Sequence, residues 1–251
     1  YKDYKKGGRP QKLNRYYDDI PDTLSNRNFQ LKSLINLLEF FPVQQVYVEE
    51  SEADDAIGYM CKYTHKHKNK IIISSDHDYY QLIKKNVLIW SPTLKSFVDK
   101  QKVLERYGVH PNNFCLAKSI VGDKSDNIPG VPRVGYKNLV KEYGYLFSDE
   151  SFDSNMEKLF ADNLQNSIKS KKKIYHNIKN YQDLITRNYK LVLLDVNNLS
   201  HYQLNKINEK FENFNPAWKN MNAYRFLNDL GIKSIDLLSS NQAFRLIKGK
   251  N

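Results

Sequence analysis

The sequence predicts an α/β fold, a mostly parallel sheet with docked helices over residues 1–100, followed by a mostly helical part over 101–251. Two short apolar runs, Ile71-Ile72-Ile73 and Val87-Leu88-Ile89-Trp90-Ser91, have the length and β-branched or aromatic character of strands. Helix-periodic segments alternate with them, which is the pattern of strands joined by crossovers. Beyond residue 100 the period becomes helical and the sequence Lys- and Asn-rich.

Taken in order, residues 1 to about 22 place Gly7, Gly8, Pro10 and Pro21 among basic and aromatic residues, the composition of a surface segment. Phe29, Leu31, Leu34, Ile35, Leu37, Leu38 and Phe41 recur at helical spacing, and Pro42 closes that helix. Residues 43–48 (VQQVYV) read as a short buried strand leading into the acidic run EESEADD. Ala53, Ile57, Met60 and Cys61 share one face of a helix expected over 52–66. Ile71–Ile73 reads as a fully buried strand ending in Ser74-Ser75-Asp76-His77-Asp78. A short helix, the VLIWS strand, a turn and KSFVD come next, then helices over 101–107 and 112–121. A Gly/Pro-rich turn runs from Gly122 to Gly135, and YKLVLLDV further on suits a strand or a buried helix equally.

With 251 residues the chain can bury a sizeable core. Its 39 Lys and Arg against 28 Asp and Glu leave a formal charge of +11, and 18 tyrosines accompany it, which favours a polyanionic partner such as nucleic acid. Two cysteines, Cys61 and Cys115, cannot build a disulfide framework and point to a reducing compartment. No apolar run approaches the roughly 18 residues of a membrane span. The basic, turn-like opening lacks the apolar core of a signal peptide.

Three acidic groups carry the chemistry: Glu52, Asp54 and Asp55; Asp76 and Asp78; Asp123 and Asp126. Each follows a strand or helix end, and the carboxyl ends of neighbouring parallel strands open onto one crevice. Alone, any of them is an ordinary cap or solvated face. Gathered together, they repel one another unless cations intervene, and hard oxygen-seeking ions, Mg²⁺ or Mn²⁺, suit them. Two such ions can activate water and stabilise the leaving oxygen in phosphodiester hydrolysis. His77 is expected to be a solvent-exposed turn residue rather than a ligand.

The stretch GDKSDNIPGVPRVG, from Gly122 to Gly135, has a tight path dictated by its glycines and prolines. Gly135 opens a helix whose free amides suit a phosphate, with Lys137 adding charge. Such a turn grips a strand by its backbone without reading bases.

EADD, SSDHDYYQL and GDKSDNIPGVPRVG, in this order and spacing, resemble the 5′ nuclease superfamily over roughly residues 1–145. That family contains flap endonucleases, the 5′ nuclease domain of bacterial DNA polymerase and phage 5′→3′ exonucleases. Within it, IIISSDHDYYQL and VLIWSPTLKSFV look most similar to the ribonucleases H of T-even phages. The resemblance implies a PIN-like nuclease core and a helix–three-turn–helix element at about 113–143. It implies a first metal site at Glu52, Asp54, Asp55 and Asp76, and a second, partly water-mediated one at Asp78, Asp123 and Asp126. Two Mg²⁺ ions (Mn²⁺ as substitute) and a K⁺ held by the turn's carbonyls are the implied cofactors. Lys5, Lys6 and Arg9 match a YKxxR element that approaches the scissile phosphate. The spacing is one residue longer than usual, which leaves Lys5 and Lys6 as alternatives. Arg133 stands where the family often has glycine. The family's two further upstream Asp residues and first strand have no counterpart from Tyr1 onward, so the core is expected to be N-terminally incomplete.

An arch over residues 4–24, with Lys5, Lys6, Arg9, Lys12 and Arg15 interleaved with Tyr4, Tyr16 and Tyr17, suits an unpaired 5′ end. DNA-binding positions are expected at Arg15, Tyr16, Gly130, Val131, Arg133, Val134, Gly135 and Lys137. Lys169 and Lys171 to Lys173 form a second basic run, equally consistent with duplex contact or a solvated face. The resemblance implies branched or 5′-flap DNA and RNA–DNA duplex as partners, a single-stranded-DNA-binding protein or sliding clamp as accessories, and the host-cell cytoplasm as location. The leading expectation is a Mg²⁺-dependent structure-specific 5′ nuclease that removes RNA primers in phage DNA replication. The alternative is a truncated, catalytically impaired nucleic-acid-binding fragment of one.

Overall fold

Three strands, β1 (Lys70–Ile73), β2 (Val87–Ser91) and β3 (Ser96–Val98), lie side by side in that order in a computed structural model that describes residues 23–152, 155–215 and 217–232. β1 pairs with β2 in parallel, Ile72 opposite Ile89, whereas β2 and β3 form an antiparallel hairpin with Trp90 opposite Phe97. Those two rings meet edge to face at 4.9 Å, a cross-strand contact that helps hold the hairpin in register. The parallel sheet expected from the sequence is therefore mixed among the described strands.

Two strand expectations are corrected. Residues 43–48 form no strand, and Tyr47 is 81% exposed with only Val48 of the segment buried. Local β-propensity decides nothing without a ladder partner to take the backbone hydrogen bonds. β1 is not buried on both faces: Ile72 is 7% exposed, but Ile71 and Ile73 are 58% and 71% exposed. Among the described residues no element covers the Ile71 and Ile73 side, so only the Ile72 face packs on the core.

The described residues divide into two compact units, one within residues 51–199 and the other within residues 23–50 and 200–232. The second contains α1 (Leu24–Leu38), α9 (His201–Glu212) and α10 (Asn220–Asp229). Thr23 caps α1, which ends before Pro42, and Phe41 packs on Trp218 at 4.5 Å. Ser200 and Gln203 close a reciprocal capping box at the start of α9. No described helix is long and apolar enough to cross a membrane.

In the first unit, α2 (Ala53–Tyr59) runs on into a π-helical turn, Met60–Thr64, and a 3₁₀ segment, His77–Leu82, follows β1. α3 (Lys100–Tyr107) is capped by Asp99 and stopped by Gly108 in the left-handed conformation. α4 (Pro111–Val121) runs through the core, with Phe114, Leu116, Ala117 and Ile120 all at most 1% exposed. α5 (Tyr136–Phe147) and α8 (Gln182–Val192) pack on it, and α6 (Met156–Lys169) pairs with α7 (Lys173–Asn180). The ambiguous YKLVLLDV segment is the end of α8 followed by extended chain, and it buries Leu191, Val192 and Leu194.

The turn between α4 and α5 is a backbone crossing. A Cβ on Gly130 would lie 1.9 Å from the Val121 carbonyl oxygen, and one on Gly122, at φ +81°, would lie 2.4 Å from the Gly130 nitrogen. Only glycine at both positions lets the two strands of the turn pass. Asp123 and Ile128 exchange backbone hydrogen bonds of 2.9 and 2.8 Å, and the Val131 N–H donates to Ile120 O. The Asn188 amide donates to Ser119 O and Pro129 O, while Asn177 donates to Pro132 O, so α8 and α7 tie the turn from outside. Arg133 sits at φ +63°, in the left-handed region that favours glycine.

Gly130→Ala should cost about 3 kcal/mol or more of unfolding free energy, because both clashing partners are backbone. Gly144→Ala, whose Cβ would meet only ordinary contacts in α5, should be neutral or stabilising. Arg133→Gly should raise stability by about 0.5–1 kcal/mol through relief of the left-handed strain. Urea denaturation of the three variants checks all of these.

Candidate functional site

Glu52 is the N-cap of α2, and Asp54 and Asp55 lie in its first turn, where the helix dipole favours negative charge. Glu52 and Asp55 also form a reciprocal capping box, which fixes both side chains. One carboxylate oxygen from each of Glu52, Asp54 and Asp55 lies within 4.8 Å of the others. Asp55 is buried and 3.5 Å from the Asn198 amide, so the group is built into the fold rather than spread over a solvated face. Three convergent carboxylates at that spacing are a fitting donor set for a hard divalent cation.

Asp76 and Asp78 leave the carboxyl end of β1. The Asp76 amide donates to Ser74 Oγ at 3.0 Å, and its carboxylate caps the 3₁₀ segment by accepting from the Asp78 N–H at 2.9 Å. The buried residues Tyr79, Tyr80 and Leu82 anchor this segment, leaving Asp76 exposed while Asp78 points inward at 2% exposure. The Tyr79 hydroxyl is pushed well above its usual range, first by burial and then by the charges of Asp54, Asp76 and Asp78. One phenol thus feels acids from both segments. His77 in turn is pulled down by burial and by Arg106 and Lys118, against the opposing fields of Asp76 and Asp123. It is half-buried, stacked on Tyr80 at 4.8 Å with Nδ1 3.3 Å from the Tyr107 hydroxyl, rather than a solvent-exposed turn residue.

The third acidic group meets a residue that sequence reasoning missed. Lys118, on α4 and 2% exposed, drives its ammonium against Asp78, with Asp123 at 2.8 Å and Asp126 at 3.8 Å. Burial alone would lower the Lys118 amine, but Asp78 and Asp123 outweigh it and hold it above its ordinary value. Burial likewise works to raise the Asp123 carboxyl. Hydrogen bonds from Lys118 and from Ser125 outweigh that and lower it to about 2. The sequence did carry a signal for this residue. A single lysine inside the apolar run FCLAKSIV must be paired once the helix is buried.

The two halves of the acidic set therefore differ. Glu52, Asp54 and Asp55 present oxygen ligands together, whereas Asp78, Asp123 and Asp126 surround an ammonium. Of the expected DNA-binding positions, Val131 and Val134 are core residues at 3% and 6% exposure, so their side chains anchor the turn. Gly130 is the crossing point of the turn, and Gly135, with open space where a Cβ would stand, caps α5. Arg133 and Lys137 are exposed. Lys172 of the second basic run is paired with Glu142 at 2.8 Å. Lys5, Lys6, Arg9, Arg15 and Tyr16 lie outside the described residues.

A small sheet with acids at its carboxyl end, backed by helices, is the architecture of a PIN-like nuclease core. The description of a 5'-3' exonuclease, N-terminal resolvase-like domain, matches residues 1–108. The 5'-3' exonuclease of Buchnera aphidicola subsp. Schizaphis graminum is 33% identical over 184 residues, 71% of this chain and 56% of that protein. The one of Aquifex aeolicus is 32% identical over 188 residues, 73% of this chain and 60% of that protein. The chain thus spans little more than half the length of these curated relatives. A crystal structure of the bacteriophage T5 flap endonuclease, in a pseudo-enzyme-product complex with DNA and metal ions, shares the fold. It superimposes with a TM-score of 0.60 at 24% identity, over 78% of this chain and 73% of that one. These matches support the 5′ nuclease superfamily for this chain.

Lys118→Met should destabilise the fold by about 3–5 kcal/mol, because it strands the buried Asp78 carboxylate without a counter-charge. The lowered Asp123 carboxyl sets the sign of the pH dependence. Its pairing stabilises the fold fully above about pH 4, the unfolded value, and is lost as pH falls towards 2. The gap between wild type and variant should therefore narrow over that range in urea titrations run from pH 7 down to pH 2.

Proposed function

We propose that this chain is the greater part of a Mg²⁺-dependent, structure-specific 5′ nuclease. It acts on 5′-flap or branched DNA and on RNA–DNA duplex, and removes RNA primers in phage DNA replication. The single observation that carries the reading is the meeting of Glu52, Asp54 and Asp55 at one set of carboxylate oxygens, in a chain whose relatives are 5'-3' exonucleases. Residues 1–100 act as the nuclease core with an arch over 4–24, and residues 101–251 as the helical part. The enzyme works in the cytoplasm of the host cell.

Glu52, Asp54 and Asp55, with Asp76, hold one divalent ion, while Asp78, Asp123 and Asp126 serve the second. Bound there, the metal supplies Lewis acidity and a water of lowered pKa for attack on the phosphodiester. Asp76, exposed at the strand end, faces solvent and substrate. Lys5 or Lys6, with Arg9, neutralises the scissile phosphate, and Arg15 and Tyr16 receive the unpaired strand. The segment from α4 to α5 acts as a helix–three-turn–helix element at about 113–143. It offers the first-turn amides of α5 beyond Gly135 to a backbone phosphate, with Arg133 and Lys137 adding charge and Gly130, Val131 and Val134 fixing the path. Its carbonyls hold K⁺. A single-stranded-DNA-binding protein or sliding clamp brings the enzyme to its junction.

A second reading, a nucleic-acid-binding fragment with impaired cleavage, draws on Lys118. Its ammonium already neutralises the acids that a second metal would need.

In the first reading Asp76→Asn should lower turnover on a 5′-flap substrate on the order of 100-fold while leaving flap binding within about twofold. Wild-type turnover in that variant would remove Asp76 from the site. Efficient Mg²⁺-dependent cleavage by the unaltered chain would dispose of the second reading.

A further inference from the structure

Lys118 is a buried charge that the nuclease mechanism leaves without a task. It lies on α4 in contact with the equally buried Asp78, with Asp123 at 2.8 Å and Asp126 at 3.8 Å. Asp78 is carried there by the 3₁₀ segment, which packs on α4, and the other two acids belong to the turn that follows the helix. The ammonium is tethered to a packed helix, so it meets these carboxylates at an effective concentration that a free ion does not match.

Direct coordination of a divalent ion needs carboxylate oxygens that close on one point. Among the described residues Glu52, Asp54 and Asp55 do so, within 4.8 Å of one another, and Asp78, Asp123 and Asp126 do not. Those three close on Lys118 Nζ instead. Both oxygens of Asp123 are in use: Oδ2 accepts from Lys118, and Oδ1 accepts from the Ser125 N–H at 2.6 Å and from its hydroxyl. The Asp78 side chain is 2% exposed, whereas those of Asp123 and Asp126 are 20% and 35% exposed. Solvent thus reaches this group from the side of the turn.

We infer that Lys118 takes the place of a directly coordinated second ion, so that the chain holds one divalent ion tightly, at Glu52, Asp54 and Asp55, and a second only weakly, through its water shell, on the solvent side of Asp123 and Asp126. Mg²⁺ gives up its waters reluctantly, and an ammonium in contact with the same carboxylates repels a further cation. Lys118 is a positioning residue: buried as it is, it acts through the three acids and meets no substrate. The inference rests on the nuclease reading in one respect, that both acidic groups serve cations.

Mn²⁺ added stepwise to the chain without DNA, with free Mn²⁺ read by electron paramagnetic resonance, counts the ions and their affinities. One tight ion is expected, lost in Asp54→Asn, with a second weaker by about tenfold or more. Lys118→Gln frees the three acids, and the second ion should then tighten by about tenfold or more, since affinity follows the charge of the ligand set. Mn²⁺ should also raise the urea midpoint of that variant more than that of wild type, because an ion held only by the folded chain stabilises it. If Lys118→Gln does not fold even with Mn²⁺, the unaltered chain decides: the Lys118 ammonium resonance, followed while Mg²⁺ is added, should stay in place as the first ion binds. Two equally tight ions in wild type, a Lys118 resonance displaced by the first ion, or a second ion no tighter in Lys118→Gln would overturn the inference and leave the nuclease reading standing. No bound ion in wild type would overturn both.

Discussion

Lys118 brings a positive charge into a helix whose other side chains are packed against the core, and three carboxylates from two loops close around it. The charge is tolerated because Asp78 and Asp123 lie within direct contact and Asp126 just beyond. Removed from water, Lys118 and Asp78 would each be strongly disfavoured alone, and together they neutralise one another. The pairing joins the segment after β1 to the turn after α4, two parts of the chain about forty residues apart. Whatever sits beside the acids therefore meets a surface whose charge is set by the protein as well as by its ligands.

The turn between α4 and α5 is held by a different kind of constraint. Gly122 and Gly130 let two backbone stretches cross at a separation that no side chain permits, and the carboxamides of Asn188 and Asn177 secure the outside. Val131 and Val134 fasten it to the core from below. Such a turn presents the start of α5 at a fixed place relative to Asp123 and Asp126, since those acids belong to the same crossing. Rigidity here is positional: little of the turn can move without breaking a backbone hydrogen bond or opening the Lys118 pair.

The candidate site was unevenly legible in the sequence. Glu52, Asp54 and Asp55 follow from spacing alone, because an N-cap and its first turn share a face and the capping box closes it locally. The turn from Gly122 to Gly135 was legible because glycine and proline restrict the backbone whatever surrounds them. Lys118 was missed since its role depends on burial, and burial is a property of packing rather than of the run FCLAKSIV itself. His77 was misjudged for the same reason. An imidazole in a polar turn is exposed unless aromatic rings such as Tyr80 and Tyr107 come to cover it.

Strands show the same boundary. Val87–Ser91 formed the expected strand, and packing turned Val87, Ile89 and Ser91 inward. The VQQVYV segment, of similar composition, did not pair, and β1 kept one apolar face uncovered among the described residues. Sequence by itself determined the helices with their caps, the acidic groups and the glycine crossing, because these rest on interactions within a few residues. Tertiary structure alone decided which acids meet a metal-sized gap and which meet an ammonium, and which apolar run becomes a strand. Those outcomes depend on partners distant in the chain, and on the dielectric that packing creates around them.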